Sequence, residues 1–333
     1  MSTTTVTRER RRSWRKEAVV AATLALGLVA LTQGLSAMDS PLPVPAGGPE
    51  LGLQLPAAHP PAGLAFSVLP TSSSRGAAEA LVVGGGSWLR YRRPAHVAVL
   101  VQHPQATFLF DTGLGRQVDA QFQANRFFER QLFAYGEVHP VVDQLAAAGW
   151  APSRIRMVIP SHMHWDHISG LPDFPDAEVW TQPQEREAAA HGHAPAFLAS
   201  QFAGVRHWRE LRFTDGPYVG FERSLDWFKD GSVVFVPLGG HTAGQVGLFL
   251  TLPSGQRYFF TGDTTWTMEG LRIPADRSWA LRQMVQVDHD VAANQAAIVQ
   301  VHRILTRFPQ LKVVPAHDEH VLATLPRFPA FAH

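Results

Sequence analysis

The sequence predicts an α/β layered domain, and two observations carry that reading. From about Ala77 onward, short β-rich runs alternate with helical ones, and five of the strand-like runs end in an aspartate, a histidine or a cluster of both. An α/β sheet gathers chemistry along one edge in this way. A chain of 333 residues with 45% hydrophobic content is long enough to bury such a core, so disorder throughout is excluded. The formal charge of +1 is unevenly spread, because Arg8, Arg10, Arg11, Arg12, Arg15 and Lys16 crowd the first 17 residues against Glu9 and Glu17. Without them 23 basic and 26 acidic residues remain, a balance near −3 that gives the body no global attraction for nucleic acid or anionic lipid. There is no cysteine, which removes disulfides, thiolate ligands and a thiol nucleophile together.

In chain order, residues 1–37 read as a signal peptide or membrane anchor. The basic stretch ending at Lys16 runs into Ala18–Leu31, which carries no charge, and Gly34-Leu35-Ser36-Ala37 offers small residues for cleavage. The expectation is export, to the periplasm or as a secreted protein, with residues 18–37 as an anchor if they are not removed. Membrane contact would be confined to that segment. Residues 38–76, dense in proline, glycine and alanine between Pro41 and Ala62, predict an extended tether. Residues 77–333 are then expected to form the folded domain, with an insertion at about 185–230.

Within that domain, Val97–Val101 and Thr107–Phe110 flank the turn-like His103-Pro104-Gln105 and predict a hairpin whose second strand opens into Asp111-Thr112-Gly113. Pro140–Ala148 predicts a short helix with Val141, Val142 and Leu145 on one face and Gly149 as its C′ residue. Arg156–Ile159 follows as a buried strand and runs straight into Ser161-His162-Met163-His164-Trp165-Asp166-His167. Val233–Val236 leads to Gly239-Gly240-His241, Arg257–Thr261 to Gly262-Asp263, and Lys312–Val314 to Pro315-Ala316-His317. Before the last of these, Asp290–Phe308 predicts a helix with Ile298, Val301, Leu305 and Phe308 inward, stopped by Pro309.

The strongest motif is His162-x-His164-x-Asp166-His167. In a tight turn His162 and His164 can point to one ion while Asp166 and His167 turn to a second. A catalytic ion needs only three protein ligands and keeps a position open for water. Taken singly, a glycine-flanked histidine is usually a turn and a Gly-Asp pair a turn or cap, so the later residues gain weight from their order and from the strands they follow.

This arrangement resembles the metallo-β-lactamase superfamily, whose pattern is a His-x-His-x-Asp-His turn, then a lone His, a lone Asp and a last His, each after a strand. The resemblance covers roughly Ala77 to His320, includes Gly239-Gly240-His241-Thr242-Ala243-Gly244 and Thr261-Gly262-Asp263-Thr264, and implies a four-layer αβ/βα sandwich. It also implies that His162, His164 and His241 bind one divalent ion, that Asp166, His167 and His317 bind another, and that Asp263 bridges both. Zinc suits such ligands best, with iron, manganese or cobalt also admissible. Asp111 stands where the family places an acid that accepts the remaining N–H of a ligating imidazole. The other eleven histidines, His191 and His193 among them, lack matching context and read as surface or core residues.

The resemblance further implies a hydrolase in which the ions make hydroxide available from water without a side-chain base and Asp263 orients it, with Asp166 and Trp266 as the other catalytic candidates. Within the superfamily the chain is similar to N-acyl-homoserine lactonases in its isolated Asp-Thr-Gly strand end, its ligand spacing and its Pro-Ala-His-Asp ending at Asp318. It departs from them at Trp266, where those lactonases carry a tyrosine. Indole donates only, so either Trp266 lines an apolar pocket or another group polarises the substrate. Aromatic residues of the insertion and Trp266, Met268, Leu271 and Trp279 could wall a pocket, though packing suffices for most of them. The implied substrate is a hydrophobic small molecule, a lactone or an ester. The alternatives are a phosphodiesterase or β-lactamase on the same metals, or a non-catalytic exported metal-binding protein.

Overall fold

A computed structural model describes residues 3–333. In chain order its strands are β1 (Ala65–Ser73), β2 (Ala77–Ala78), β3 (Tyr91–Arg92), β4 (Ala95–His103), β5 (Ala106–Phe110), β6 (Met157–Ile159), β7 (Glu178–Thr181), β8 (His207–Glu210), β9 (Leu225–Asp226), β10 (Val233–Pro237), β11 (Val246–Thr251), β12 (Arg257–Phe260) and β13 (Lys312–Val314). One sheet has the order β1-β4-β5-β6-β7-β8, the other β13-β12-β11-β10-β9. β1 pairs with β4 and β4 with β5 antiparallel, and from β5 to β8 the pairing is parallel.

Alternation along each strand builds the layers. On β4, Val99 and Val101 face the second sheet, while Ala98 and Leu100 pack outward with Leu145 of the helix Val141–Ala147. On β12, Tyr258 and Phe260 join that shared interior, whereas Phe259 packs outward with Val301 and Ile304 of the helix Val291–Arg307. Because both faces are covered, these strands read as unbroken apolar runs rather than as polar and apolar in turn. The result is helix, sheet, sheet, helix: the metallo-β-lactamase sandwich. Asp290 caps the long helix by accepting from the Ala293 N–H.

Two segments singled out in the sequence take definite places in this architecture. β1 lies inside residues 38–76, so the stretch expected to be a tether ends before Ala65; Phe66, Val68 and Leu69 are buried, and β1 pairs with β4 from Ala65↔Gln102 to Ser73↔Ala95. Pro70 is tolerated there because the strand lies at a sheet edge beside a bulge, where a missing N–H does little harm. The segment before it has no regular structure, yet it lies along the domain, with Leu51 and Leu55 packed on the outer core and the Pro56 carbonyl accepting from Arg257. The stretch at about 185–230, expected as an insertion, supplies the edge strand β8 to one sheet and β9 to the other. Its aromatic residues Phe202, Trp208, Phe213, Trp227 and Phe228 pack against those layers.

At the N-terminal end of the description, one helix, Thr3–Ala37, contains the apolar stretch Lys16–Ala37, long enough to cross a membrane and of a kind that signal sequences share. Its last turn touches the domain where Trp88 donates to Ser36 Oγ, and just beyond it Asp39 accepts from the Trp279 N–H. At the other end of the chain, Ala332 and Arg327 bridge to Phe66 and Val68 and cover the free edge of β1.

Candidate metal centre

Five strand ends meet at one edge of the sandwich. Asp111 follows β5, the segment Ser161–His167 follows β6, His241 follows β10, Asp263 follows β12 and His317 follows β13. The loop after β6 changes conformation in its middle. His162 and His164 lie in the segment before the short helix Trp165–Ile168, with His164 itself extended as the N-cap, while Asp166 and His167 sit in the helix's first turn. The motif is thereby split between two poles.

At the first pole, the ligand-type atoms of His162, His164 and His241 lie within 4.8 Å of one another. At the second, His167 Nε2 is 3.2 Å from His317 Nε2, and Asp166 Oδ2 is 3.5 Å from His317 Nε2 and 3.9 Å from His167 Nε2. Asp263 lies between the poles. Its Oδ1 is 3.2 Å from His167 Nε2 and 3.0 Å from His317 Nε2, and its Oδ2 is 3.5 Å from His241 Nε2.

Groups behind these side chains fix where they point. Asp111, held at φ 61° in the left-handed region that aspartate tolerates better than most residues, accepts from the Ser161 N–H at 2.6 Å and lies 3.0 Å from His167 Nδ1. Asp288 lies 2.8 Å from His241 Nδ1 and is itself paired with buried Arg277. His317 Nδ1 lies 2.6 Å from the Ala95 carbonyl, which leaves Nε2 for the cluster. Glu185, fully buried, accepts from the Met163 N–H with one oxygen and from the Gly244 N–H with the other, both at 2.7 Å, and so staples the His162–His167 loop to the His241 loop. A side chain at Gly244 would collide with Glu185. Behind His317, buried Arg92 pairs with Asp318, Glu319, Glu79 and Glu269. Asp318 in turn accepts from the Met268, His320 and Val321 N–H groups.

Electrostatics separate the poles. Burial, and then the neighbouring histidines, hold His162 and His164 well below the ordinary histidine range. Burial also opposes charge on His167 and His317, but there the carboxylates prevail, Asp111 foremost for His167 and Asp263 for His317, and both rings are pushed up. Burial alone would raise Asp166 and Asp263, yet the facing histidines hold both carboxyls below their usual range.

Whether these residues fit cations is answered by their unspent valences. His162 Nε2 and His241 Nε2 are buried without a hydrogen-bond partner. Buried polar atoms left in that state are rare and demand a reason. Three imidazoles at one pole, and imidazoles with carboxylates at the other, are the donor sets that divalent ions of zinc type accept. The residues fit.

Comparison with known proteins agrees. A family model for the metallo-beta-lactamase superfamily matches residues 91–317. The chain belongs to the metallo-beta-lactamase superfamily. A probable metallo-hydrolase of Mycobacterium tuberculosis is 29% identical over 234 residues, which span 66% of this chain and 73% of that one. An N-acyl homoserine lactonase, AttM of Rhizobium johnstonii, is 29% identical over 136 residues, 38% of this chain and 48% of its own length. Among solved structures, an N-acyl homoserine lactone hydrolase holding N-hexanoyl-L-homoserine at its catalytic metal center superposes with a TM-score of 0.64 at 16% identity, covering 82% of this chain and all of that one. At that identity the likeness shows the fold alone. Superfamily, fold and clustered histidines and aspartates together support a metal-dependent hydrolase.

Each of the seven side chains that the superfamily pattern singles out lies at this edge, and Asp111 lies behind one of them. Trp266 lies beside Asp263 and donates its Nε1–H to Asp263 Oδ2 at 2.7 Å, so that N–H is already committed. A cleft of about 190 Å³ opens over the cluster, walled by Leu132, Phe133, Trp165, Leu281, Met284 and Val287. Among the described residues lining it there is no lysine or arginine. Sequence reasoning missed Glu185, Asp288, Arg92 and, most directly, His96, which had no matching context as a histidine but reaches the second pole from the start of β4.

Proposed function

We propose that the chain is an exported hydrolase that holds two divalent ions, zinc foremost, and uses them to open a lactone or cleave an ester of a hydrophobic small molecule. One observation carries this reading: buried imidazole nitrogens without partners converge with carboxylates at the floor of a cleft whose walls are apolar and free of cationic side chains. When bound, such ions lower the pKa of water toward neutrality and polarise a carbonyl oxygen. His162, His164 and His241 would hold the first, Asp166, His167 and His317 the second. Asp263 touches both groups and would stay ionised beside the reacting water, its orientation kept by the Trp266 N–H. The apolar walls would take an acyl or alkyl portion and exclude bulk water from the scissile bond. A cleft lined without lysine or arginine is poorly suited to a phosphate diester, which such side chains usually clamp. The lactonase names among the relatives support this reading at the level of resemblance.

The test is elemental analysis of the purified protein together with turnover of lactones of graded acyl length, aryl esters, bis-nitrophenyl phosphate and nitrocefin. Two ions per chain and hydrolysis confined to lactones or esters are the expected results. Turnover of the phosphate diester or of nitrocefin alone would reassign the substrate. Silence across the panel in a fully metallated sample would return the chain to a metal-binding role.

A further inference from the structure

We propose that His96 is an additional ligand of the second ion, so that this position takes one more imidazole than the superfamily pattern provides. The inference rests on the two-ion reading above and deepens it. β4 runs antiparallel to β5, with Val99 opposite Phe110, so the beginning of β4 lies at the edge where β5 delivers Asp111. The pairing of β1 with β4 is interrupted there: Pro70 stands opposite Val97 and Ser72 opposite His96, which leaves Thr71 as the extra residue of a bulge. Bulges re-aim side chains beside functional sites. This one is pinned, since Thr71 Oγ1 donates to the His96 carbonyl at 3.0 Å and accepts from the Leu114 N–H at 2.9 Å, while the Thr71 carbonyl accepts from the His139 N–H at 2.7 Å.

The side chain that results is aimed and unspent. His96 is 5% exposed; its Nε2 has no hydrogen-bond partner, and its Nδ1 meets only Asp166. Its Nδ1 lies 3.4 Å from Asp166 Oδ2, and its ring stands edge-on to His317 with centroids 5.6 Å apart. Ligand-type atoms of His96, Asp166 and His317 all lie within 4.8 Å of one another. The preceding residue is tied to the same place, because the Ala95 N–H donates to the His317 carbonyl and the Ala95 carbonyl lies against His317 Nδ1. A buried imidazole with one nitrogen idle, whose only polar neighbour is a carboxylate of the cluster, has no structural purpose that packing alone would not serve better with an apolar residue. The two positions are then unequal: the first keeps a three-imidazole set suited to four-coordinate zinc, and the second, richer in nitrogen and oxygen donors, favours ions that accept five or six ligands, such as manganese, iron or cobalt.

The experiment is titration of the metal-free full chain with cobalt(II), followed by calorimetry and by proton NMR of the cobalt-loaded protein labelled with nitrogen-15 at histidine. Wild type, His96→Ala, His96→Gln and His164→Ala are compared. In the wild type we expect two binding steps and a shifted ring N–H signal from His96 beside those of the five histidines of the superfamily pattern. His96→Ala should weaken one step by about 10- to 100-fold and leave the other unchanged, the affinity loss that disturbing a metal's close surroundings typically produces. His164→Ala should weaken the opposite step. Two steps of unaltered affinity in both His96 variants, or the absence of a shifted His96 signal, would overturn the assignment and leave the two-ion reading intact. Fewer than two ions in the wild type would defeat that earlier reading and this one with it. Should both variants fail to fold, the wild-type spectrum decides.

Discussion

Around His162, His164 and His241 the carboxylates stand mostly behind the rings, as Asp288 does behind His241, whereas around His167 and His317 they face inward as Asp166 and Asp263. At the first pole burial holds His162 and His164 well below the ordinary histidine range, which leaves their lone pairs free. The second, in the metal-free chain, draws protons onto its histidines, which supply there the positive charge that its carboxylates require. The difference teaches that cation uptake is two unlike reactions. At the first pole an ion fills lone pairs already available, and at the second it must displace protons.

That contrast can be broken or sharpened by experiment, beginning with the residue that spans it. Asp263→Asn removes charge from both poles at once, and we expect hydrolysis to fall on the order of 10²- to 10³-fold, with ion content lowered at both positions. A variant that kept both ions and its rate would dissolve the shared role of Asp263. Next come the scaffolds. Arg92→Met leaves a set of buried and half-buried carboxylates uncompensated behind the second pole and should lower unfolding free energy by about 3–5 kcal/mol in urea titration. Glu185→Ala strands two buried N–H groups behind the first and should lower it by about 2–4 kcal/mol. Smaller and more discriminating is the pair Asp288→Asn and Asp111→Asn. Each should weaken ion binding by about 10- to 100-fold, the former at the first pole and the latter at the second. Identical stepwise affinities in the two variants would mean that the poles do not act separately.

The last effect is one of pH. His167 and His317 have raised values in the folded metal-free chain, so the stability they contribute is fully present below the ordinary histidine value and is lost as pH rises through the raised ones. Ions restore it by replacing the protons. The gain in melting temperature on adding metal should thus grow as pH rises, and the second binding step should strengthen with pH more than the first. A pH-independent gain would contradict the proton-displacement picture.

Much of this was legible in the sequence because the same physics wrote both patterns. Strands buried on two faces are unbroken apolar runs, and their ends in a parallel arrangement fall at one edge, so Asp111, His162, His241, Asp263 and His317 announced themselves by following strands. The illegible parts have equally definite causes. β1 was hidden by Pro70 and by the proline-rich stretch before it, and β8 by being a largely exposed edge strand. His96 sits at the beginning of its strand, and only knowledge that β4 runs antiparallel brings a strand's beginning to the edge where the others end. Glu185 and Asp288 are single acids whose partners lie 59 and 47 residues away, a separation that leaves no local signature.

The pairing of Ala332 and Arg327 with the first strand has a kinetic meaning. Contacts spanning nearly the whole domain cannot form until residues 327–332 have been synthesised, so until then the outer border of β1 is a row of unpaired amides able to recruit a neighbouring chain. Residues 327–332 thus act as the clasp that closes this border, and substitutions that break their pairing would be felt as aggregation before they were felt as any change in chemistry.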